Sequence, residues 1–352
     1  MKFFSAIGNN TFIYFKKNII FLNKKEKIKQ KLENLKEIQF NEKYVCFKYD
    51  DKFYYGNIDN LFENEFSLNS YIEICLKNKD EKISKVTFSL KNIIVEILND
   101  KTKCYVGKIK NKNKNKNKNK NKNKNKQIQI QKQIKLKNEE ISNIYTSFDS
   151  SINFIETKNN QFVGFGKDLI EICNFNKEIQ KDENTILYDI FKNIKIKNIF
   201  FYYENIFFLT GIENCYVFGG SNIVGQNATE ENIYPCFFGI TEIKFFKEKK
   251  LKIKMITFNT KTTFFLTTCG KVYSVGSNLF GNLGRNKIFD YSIEIRKVKI
   301  KDFVVSISSG FEHNVALTLN GKCFGWGDNR NQQLKNDKNI NFIKIPQIIF
   351  KF

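Results

Sequence analysis

Gly270-Lys271-Val272-Tyr273-Ser274-Val275-Gly276-Ser277-Asn278-Leu279-Phe280-Gly281-Asn282-Leu283-Gly284 decides the fold, because the chain says nearly the same thing again 51 residues later. The second copy reads Gly321-Lys322-Cys323-Phe324-Gly325-Trp326-Gly327-Asp328-Asn329-Arg330-Asn331-Gln332-Gln333-Leu334. The same offset relates Phe264-Phe265-Leu266-Thr267 to Val315-Ala316-Leu317-Thr318. A fixed period near 50 with strand-like alternation marks a repeat architecture. Followed backwards, the anchor of the phrase, an apolar residue and a glycine, recurs at Phe218-Gly219, Phe165-Gly166, Val106-Gly107, Tyr55-Gly56 and Ile7-Gly8. A threonine stands nine positions before the glycine at Thr157, Thr210, Thr267 and Thr318, whereas the earlier copies have Phe47 and Leu98 there.

Each copy reads as an apolar strand, a tight turn and a second strand ending at the glycine. Val315 to Thr318, the turn Asn320-Gly321 and Cys323 to Gly327 form such a hairpin, since Asn-Gly accepts the positive φ of a two-residue turn. Phe303 to Ile307 supplies a strand before it and Ile345 to Ile349 one after it. Four short strands per ~50 residues make one blade of a β-propeller. The prediction is an all-β chain: one seven-bladed β-propeller domain over residues 1–352, built of four-stranded blades, with a disordered Asn/Lys insertion at 108–127.

These residues resemble a known family, the regulator of chromosome condensation repeats, seven-bladed propellers that include alpha-tubulin-suppressor-like members. Their unit runs aromatic-Gly-x-Asn-x-x-Gly-Gln-Leu-Gly, then a proline, an apolar strand and Gly-x-x-His. Val275 to Gly284 and Gly310-Phe311-Glu312-His313 follow it well. Phe218 to Gln226 follows it with one inserted residue, and Pro235 comes after. The likeness is strongest over 205–350, weaker over 144–204, and a matter of phase alone before that. The seven anchors enclose six complete gaps, which leaves three alternatives open: a half-built first blade, a ring closed on fewer strands, or a truncated sequence.

The chain has 352 residues, 41% of them hydrophobic and 15% aromatic, enough to bury a sizeable core. Its net charge of +23 points toward polyanions. Eight lysines of that excess sit in the alternating Asn/Lys tract at 111–126, leaving +15 elsewhere. Lys, Asn, Ile, Phe and Tyr abound together, a bias that an A/T-rich genome also produces. Nucleic acid therefore stands as a partner through the basic surface, beside a merely compositional origin of the charge. The strip Phe245-Phe246-Lys247-Glu248-Lys249-Lys250 reads as a loop edge and lacks an RNA-reading motif.

The eight cysteines form no Cys-x-x-Cys pair, and the single histidine leaves no usual zinc set, so no metal is expected. Cys215 and Cys323 share a repeat position and Cys104 lies one residue off it, which suits buried thiols in a reducing compartment. The start, Lys2-Phe3-Phe4-Ser5-Ala6-Ile7-Gly8, mimics an export signal but is broken by Asn9-Asn10, so it is read as a blade strand. No apolar run reaches the ~18 residues a bilayer span needs. The expectation is a soluble monomer of cytoplasm or nucleus with no membrane partner.

In chain order, Ile28, Leu32, Leu35 and Ile38 have helical spacing, and a short helix is predicted over 24–39. Tyr44 to Tyr55 reads as a hairpin turning at Asp50-Asp51. Val86 to Leu90 and Ile93 to Leu98 are strands, and Ile128 to Leu136 alternates as an outer edge strand.

Catalytic residues and cofactors are not expected. His313, which has Ile152, Asn205 and Thr262 as its counterparts in other copies, is read as structural. No phosphate-cradling glycine loop occurs, and Asp50-Asp51 and Asp182-Glu183 lie in turns. What remains is recognition by loops on a rigid scaffold: a non-enzymatic protein-interaction module, with Arg285, Lys287, Glu312, Asp328 and Arg330 as partner-binding candidates because the loops after the anchors are charged and exposed. The resemblance implies an alternative, since family members include exchange factors that empty a Ran-type small GTPase of its nucleotide. In the family that activity uses acidic and His-bearing loops and a protruding hairpin. This sequence has one histidine and no recognisable hairpin, so no exchange residue is carried across.

Overall fold

The computed structural model describes residues 240–286, 291–335 and 339–351 continuously and, before 240, chiefly the strands with some of their turns. Apart from Lys108, the insertion expected at 108–127 lies outside the described residues, as do Asp182-Glu183, Lys287 and Pro235. The fold is an all-β propeller of four-stranded antiparallel sheets, each pairing its strands in chain order. The chain divides into two compact units, Glu33–Lys192 and the remainder, which joins Met1–Leu32 to Asn193–Phe352.

The first sheet comprises β1 (Lys2–Ile7), β2 (Asn10–Phe15), β3 (Asn18–Leu22) and β4 (Lys27–Lys31). Unit Glu33–Lys192 holds three sheets. One is β5 (Leu35–Phe40), β6 (Tyr44–Tyr49), β7 (Lys52–Asn57) and β8 (Ile72–Glu73). The next is β9 (Ile83–Phe88), β10 (Asn92–Ile97), β11 (Lys103–Lys108) and β12 (Gln129–Lys135). The third is β13 (Ile141–Thr146), β14 (Asn153–Thr157), β15 (Phe162–Phe165) and β16 (Ile186–Leu187).

The other unit adds three sheets to the first. These are β17 (Ile196–Tyr202), β18 (Asn205–Thr210), β19 (Cys215–Phe218) and β20 (Ile240–Glu242); then, after the short helix α1 (Lys244–Glu248), β21 (Ile253–Asn259), β22 (Thr262–Thr267), β23 (Val272–Ser277) and β24 (Tyr291–Lys297); and β25 (Val304–Ser309), β26 (His313–Thr318), β27 (Lys322–Asp328) and β28 (Phe342–Lys351). In this unit β17 meets β21, β21 meets β25, and β25 meets β1, so first strands lie beside first strands.

Sheets pack face to face, which is why the second strands read as unbroken apolar runs rather than alternating ones. Consecutive residues serve opposite neighbours. Phe264 packs toward Trp326, with ring centroids 5.9 Å apart, while Phe265 packs toward Phe246 at 4.7 Å. The second unit shows the same division at Ile93 and Ile94, which enter two different core clusters.

The two recurrent residues of the repeat have separate physical roles. The threonine closes its hairpin by a reciprocal bond: Thr267 Oγ1 accepts from Lys271 N (3.1 Å) and donates to Lys271 O (2.9 Å), and Thr318 repeats this with Lys322 at 3.0 and 2.9 Å. Thr210 does the same with Asn214 at 3.2 and 3.4 Å. The glycine permits a close approach. Gly276 and Gly327 have φ of 112° and 103°, and a Cβ on them would stand 2.3 Å from Lys261 O and 2.4 Å from Glu312 O.

Three expectations are corrected. Within the helix expected over 24–39, the described residues 27–31 and 35–39 are strands, β4 and β5, in two different sheets. The spacing of Ile28, Leu32, Leu35 and Ile38 arises because it straddles a sheet boundary, and Lys27-Ile28-Lys29-Gln30-Lys31 in fact alternates with the period of a strand. The first sheet is not half-built but has four strands. Tyr55, Val106, Phe165, Phe218, Val275 and Trp326 lie in the third strand of their sheets, whereas Ile7 ends a first strand, so Ile7-Gly8 is outside the repeat phase. Finally, Phe245 to Glu248 belongs to α1 rather than a loop, because Phe246 is buried against Phe265 and Tyr273. The hairpin turning at Asp50-Asp51, with Asp50 at φ 53°, and the edge strand β12 agree with the sequence reading.

Candidate functional site

The loops after β19, β23 and β27 share one device. An asparagine carboxamide oxygen accepts the backbone N–H five residues on: Asn222 from Asn227 (2.8 Å), Asn278 from Leu283 (2.9 Å) and Asn329 from Leu334 (3.0 Å). Gly225, Gly281 and Gln332, at φ of 77°, 78° and 56°, let the loop turn back. Such side-chain-to-backbone bonds fix an irregular segment without a ladder. The loop over residues 278–286 is thereby held against the β25–β26 turn and the β27–β28 loop.

Glu312, in the β25–β26 turn, accepts from Asn282 Nδ2 at 2.7 Å, and its carbonyl takes the Asp328 N–H at 2.7 Å. Burial raises the Glu312 carboxyl above the ordinary range; bonds from Asn282 and Thr260 oppose this, and the negative charge of Asp328 adds to it. Asp328 itself is buried, 3% exposed, and Arg330 grips it with Nε at 3.0 Å and a terminal nitrogen at 3.1 Å. The guanidinium, still half in solvent, lies 4.6 Å from the centre of Phe280 and 5.8 Å from that of Phe342. Leu279 (44% exposed) and Phe311 (37%) flank the cluster, and Thr260 of the neighbouring sheet donates both N–H and hydroxyl to Phe311 O, at 3.0 and 2.8 Å.

Glu312, Asp328 and Arg330 are thus brought together. Asp328 differs from its expected exposure, because the fork of Arg330 and the turn hold it inward. Arg285 is elsewhere: its guanidinium braces its own sheet, donating to the Ser274 carbonyl, to Ser274 Oγ at 3.1 Å and to Arg296 O at 3.1 Å. Burial lowers its pKa to about 10. Asn282, Phe280, Leu279, Phe311 and Phe342 were not singled out by the sequence. The signal for some of them was present, since Thr260 and Phe311 are one 51-residue period apart, as are Lys254 and Val305, whose side chain and carbonyl meet at 2.8 Å.

The arrangement offers a half-buried acid, a cation stacked on aromatic rings and two exposed apolar side chains: groups for holding a surface. His313 is fully buried opposite Gly327. Cys46, Cys104, Cys215 and Cys323 are buried, and desolvation pushes the Cys104 and Cys323 thiols up to about 12. Among the described residues no group of three or more His, Cys, Asp or Glu is placed to hold a metal ion, and no helix is long and apolar enough to cross a membrane.

Residues 304–333 match the family model of the Regulator of chromosome condensation (RCC1) repeat. The chain is similar to a bifunctional serine/threonine-protein kinase/NEDD4-like E3 ubiquitin-protein ligase of Dictyostelium discoideum, 35% identical over 104 residues, covering 28% of this chain and 6% of that protein. It is 38% identical over 114 residues to a secretion-regulating guanine nucleotide exchange factor of Bos taurus, covering 30% of this chain and 21% of that one. The matches therefore span a minor part of either relative. Among solved structures, that of Prp20p from Saccharomyces cerevisiae, described with its binding properties to Gsp1p and histones, superposes with a TM-score of 0.65 at 13% identity, over 92% of this chain and 80% of that one. At that identity the likeness concerns the fold.

Proposed function

We propose that this chain, a divergent β-propeller of the regulator-of-chromosome-condensation repeat family, is a non-enzymatic scaffold which holds a protein partner, in cytoplasm or nucleus, through the loop edge carrying Glu312 and Arg330. The observation that carries this is the convergence at that edge. Arg330 is oriented by Asp328 and two aromatic rings while remaining half exposed, and Leu279 and Phe311 are exposed beside it. Aromatic and arginine side chains held rigidly at the centre of a patch are what binding hot spots are made of. Lys287, which lies outside the described residues, and Arg285 complete the candidate set, with Arg285 acting as the brace of its own sheet. Immobilised full-length protein should capture a partner from an extract of its source organism in near-stoichiometric amount. Capture of nothing beyond a resin control rejects the reading.

A second reading is exchange activity toward a Ran-type small GTPase, accompanied by chromatin or nucleic-acid contact. It is supported by the likeness to the secretion-regulating guanine nucleotide exchange factor of Bos taurus and by the Gsp1p binding of Prp20p. Exchange requires tighter binding to the empty GTPase than to the loaded one. Release of labelled GDP from such a GTPase should accelerate on adding this chain; a rate equal to that of buffer rejects it.

A further inference from the structure

The opposite edge of the same unit has a different chemistry. It is made by the α1–β21 link, the β22–β23 turn, the connection from β24 to β25 and the β26–β27 turn. Backbone bonds stitch these together: Thr268 N to Lys252 O at 2.8 Å, Val304 N to Gly270 O at 3.0 Å, and Leu319 N to Phe303 O at 2.8 Å. On this edge Leu319 is 70% exposed, the most exposed large apolar side chain among the described residues, and Phe303 beside it is 46% exposed. The Phe303 ring lies over Gly270, where an added Cβ would come within 2.6 Å of it. The two form one apolar step on turn tips rather than a recess.

The same edge carries the exposed lysines Lys249, whose ammonium lies 5.5 Å from the centre of the Phe245 ring, Lys250, Lys271 and Lys301. The acids of the described part of this edge are Glu242, held by Lys247 at 3.1 Å, Asp302, held by Lys322 at 3.0 Å, and Glu248. The edge is therefore positive and carries an exposed apolar pair.

We infer that this edge docks the protein on an anionic lipid surface, Leu319 and Phe303 entering the boundary between headgroups and acyl chains while the lysines face the headgroup phosphates and carboxylates. Peripheral attachment of this kind needs no spanning segment: buried apolar area and attraction to anionic lipid add together. Nucleic acid would satisfy the lysines but gives an aliphatic tip such as Leu319 nothing to bury against. A groove-seeking protein segment finds turn tips here instead of a concavity.

The test is co-sedimentation of the full chain with vesicles of 70% phosphatidylcholine and 30% phosphatidylserine, with pure phosphatidylcholine vesicles and a short DNA duplex in parallel. The expected result is at least about tenfold stronger partitioning onto the anionic vesicles. Leu319→Asp, which alters an exposed side chain and should melt as the wild type does, lowers it by about tenfold or more. Lys249→Glu and Lys271→Glu each lower it by about fivefold or more. Equal binding to both vesicles, binding to neither, or wild-type binding by Leu319→Asp overturns the inference. Tight DNA binding without vesicle binding also overturns it and assigns the lysines to nucleic acid.

Discussion

The indole Nε1–H of Trp326 donates to the carbonyl oxygen of Asn282 across 2.7 Å, joining β27 to the β23–β24 loop of the preceding sheet. The same oxygen accepts the Asn314 carboxamide at 3.4 Å. This bond underlies the Glu312–Asp328–Arg330 cluster, because Asn282 also holds Glu312.

Trp326→Phe retains most of the apolar packing and removes that donor. It should cost about 1–2 kcal/mol, read as a shifted urea midpoint with an unchanged slope. Trp326→Ala also opens a cavity beside Phe264 and should cost about 3–5 kcal/mol. Equal costs would mean that the hydrogen bond, not the ring, is what matters here.

The repeat threonine is testable in two places. Thr267→Val and Thr318→Val keep the shape and delete the reciprocal bond that closes each hairpin. Each should lose about 1 kcal/mol, since the part-buried N–H of Lys271 or Lys322 then loses its hydroxyl partner. Thermal melts of both variants should fall, because each loses the same reciprocal pair with the residue four positions on.

Gly327→Ala places a methyl 2.4 Å from Glu312 O at a φ of 103°. The backbone must move, and a loss of about 2 kcal/mol or more is expected. The displaced Glu312 turn should also weaken partner capture, which separates this substitution from a purely internal one.

Glu312 gives the fold a pH dependence with a definite sign. Its carboxyl is raised by burial, so the folded state favours the protonated form. The resulting stability is complete below the ordinary carboxylate range and is lost as pH rises through the folded value. Glu312→Gln can still accept from Asn282 and does not titrate. The variant should therefore lose less stability than the wild type between pH 4 and pH 8, measured by denaturant midpoints; parallel curves would contradict this account of Glu312.

The fold was legible where the repeat kept both of its marker residues. From β21 onward, glycine and threonine fix the third strand and the hairpin, and the 51-residue period even names residues that touch across sheets, as Thr260 and Phe311 do. The first sheet was misread because β3 carries no glycine, so the search for phase fell on Gly8, after β1. The helix predicted at 24–39 failed for a related reason: a period of 3.6 was counted across two strands that belong to different sheets. At the site, charge alone found Glu312, Asp328 and Arg330. It could not tell that Asp328 is turned inward or that Arg285 serves its own sheet, because both depend on which backbone oxygens lie within reach.

The central claim is that the edge bearing Glu312 and Arg330 holds a protein partner, and the most direct measurement compares capture by the wild-type chain with capture by Phe311→Glu/Leu279→Glu. Both side chains are exposed and take no part in the core, so the double variant should melt as the wild type does. The account predicts that the principal captured protein is reduced at least about tenfold. Recovery of the same protein in the same amount by the variant would contradict it.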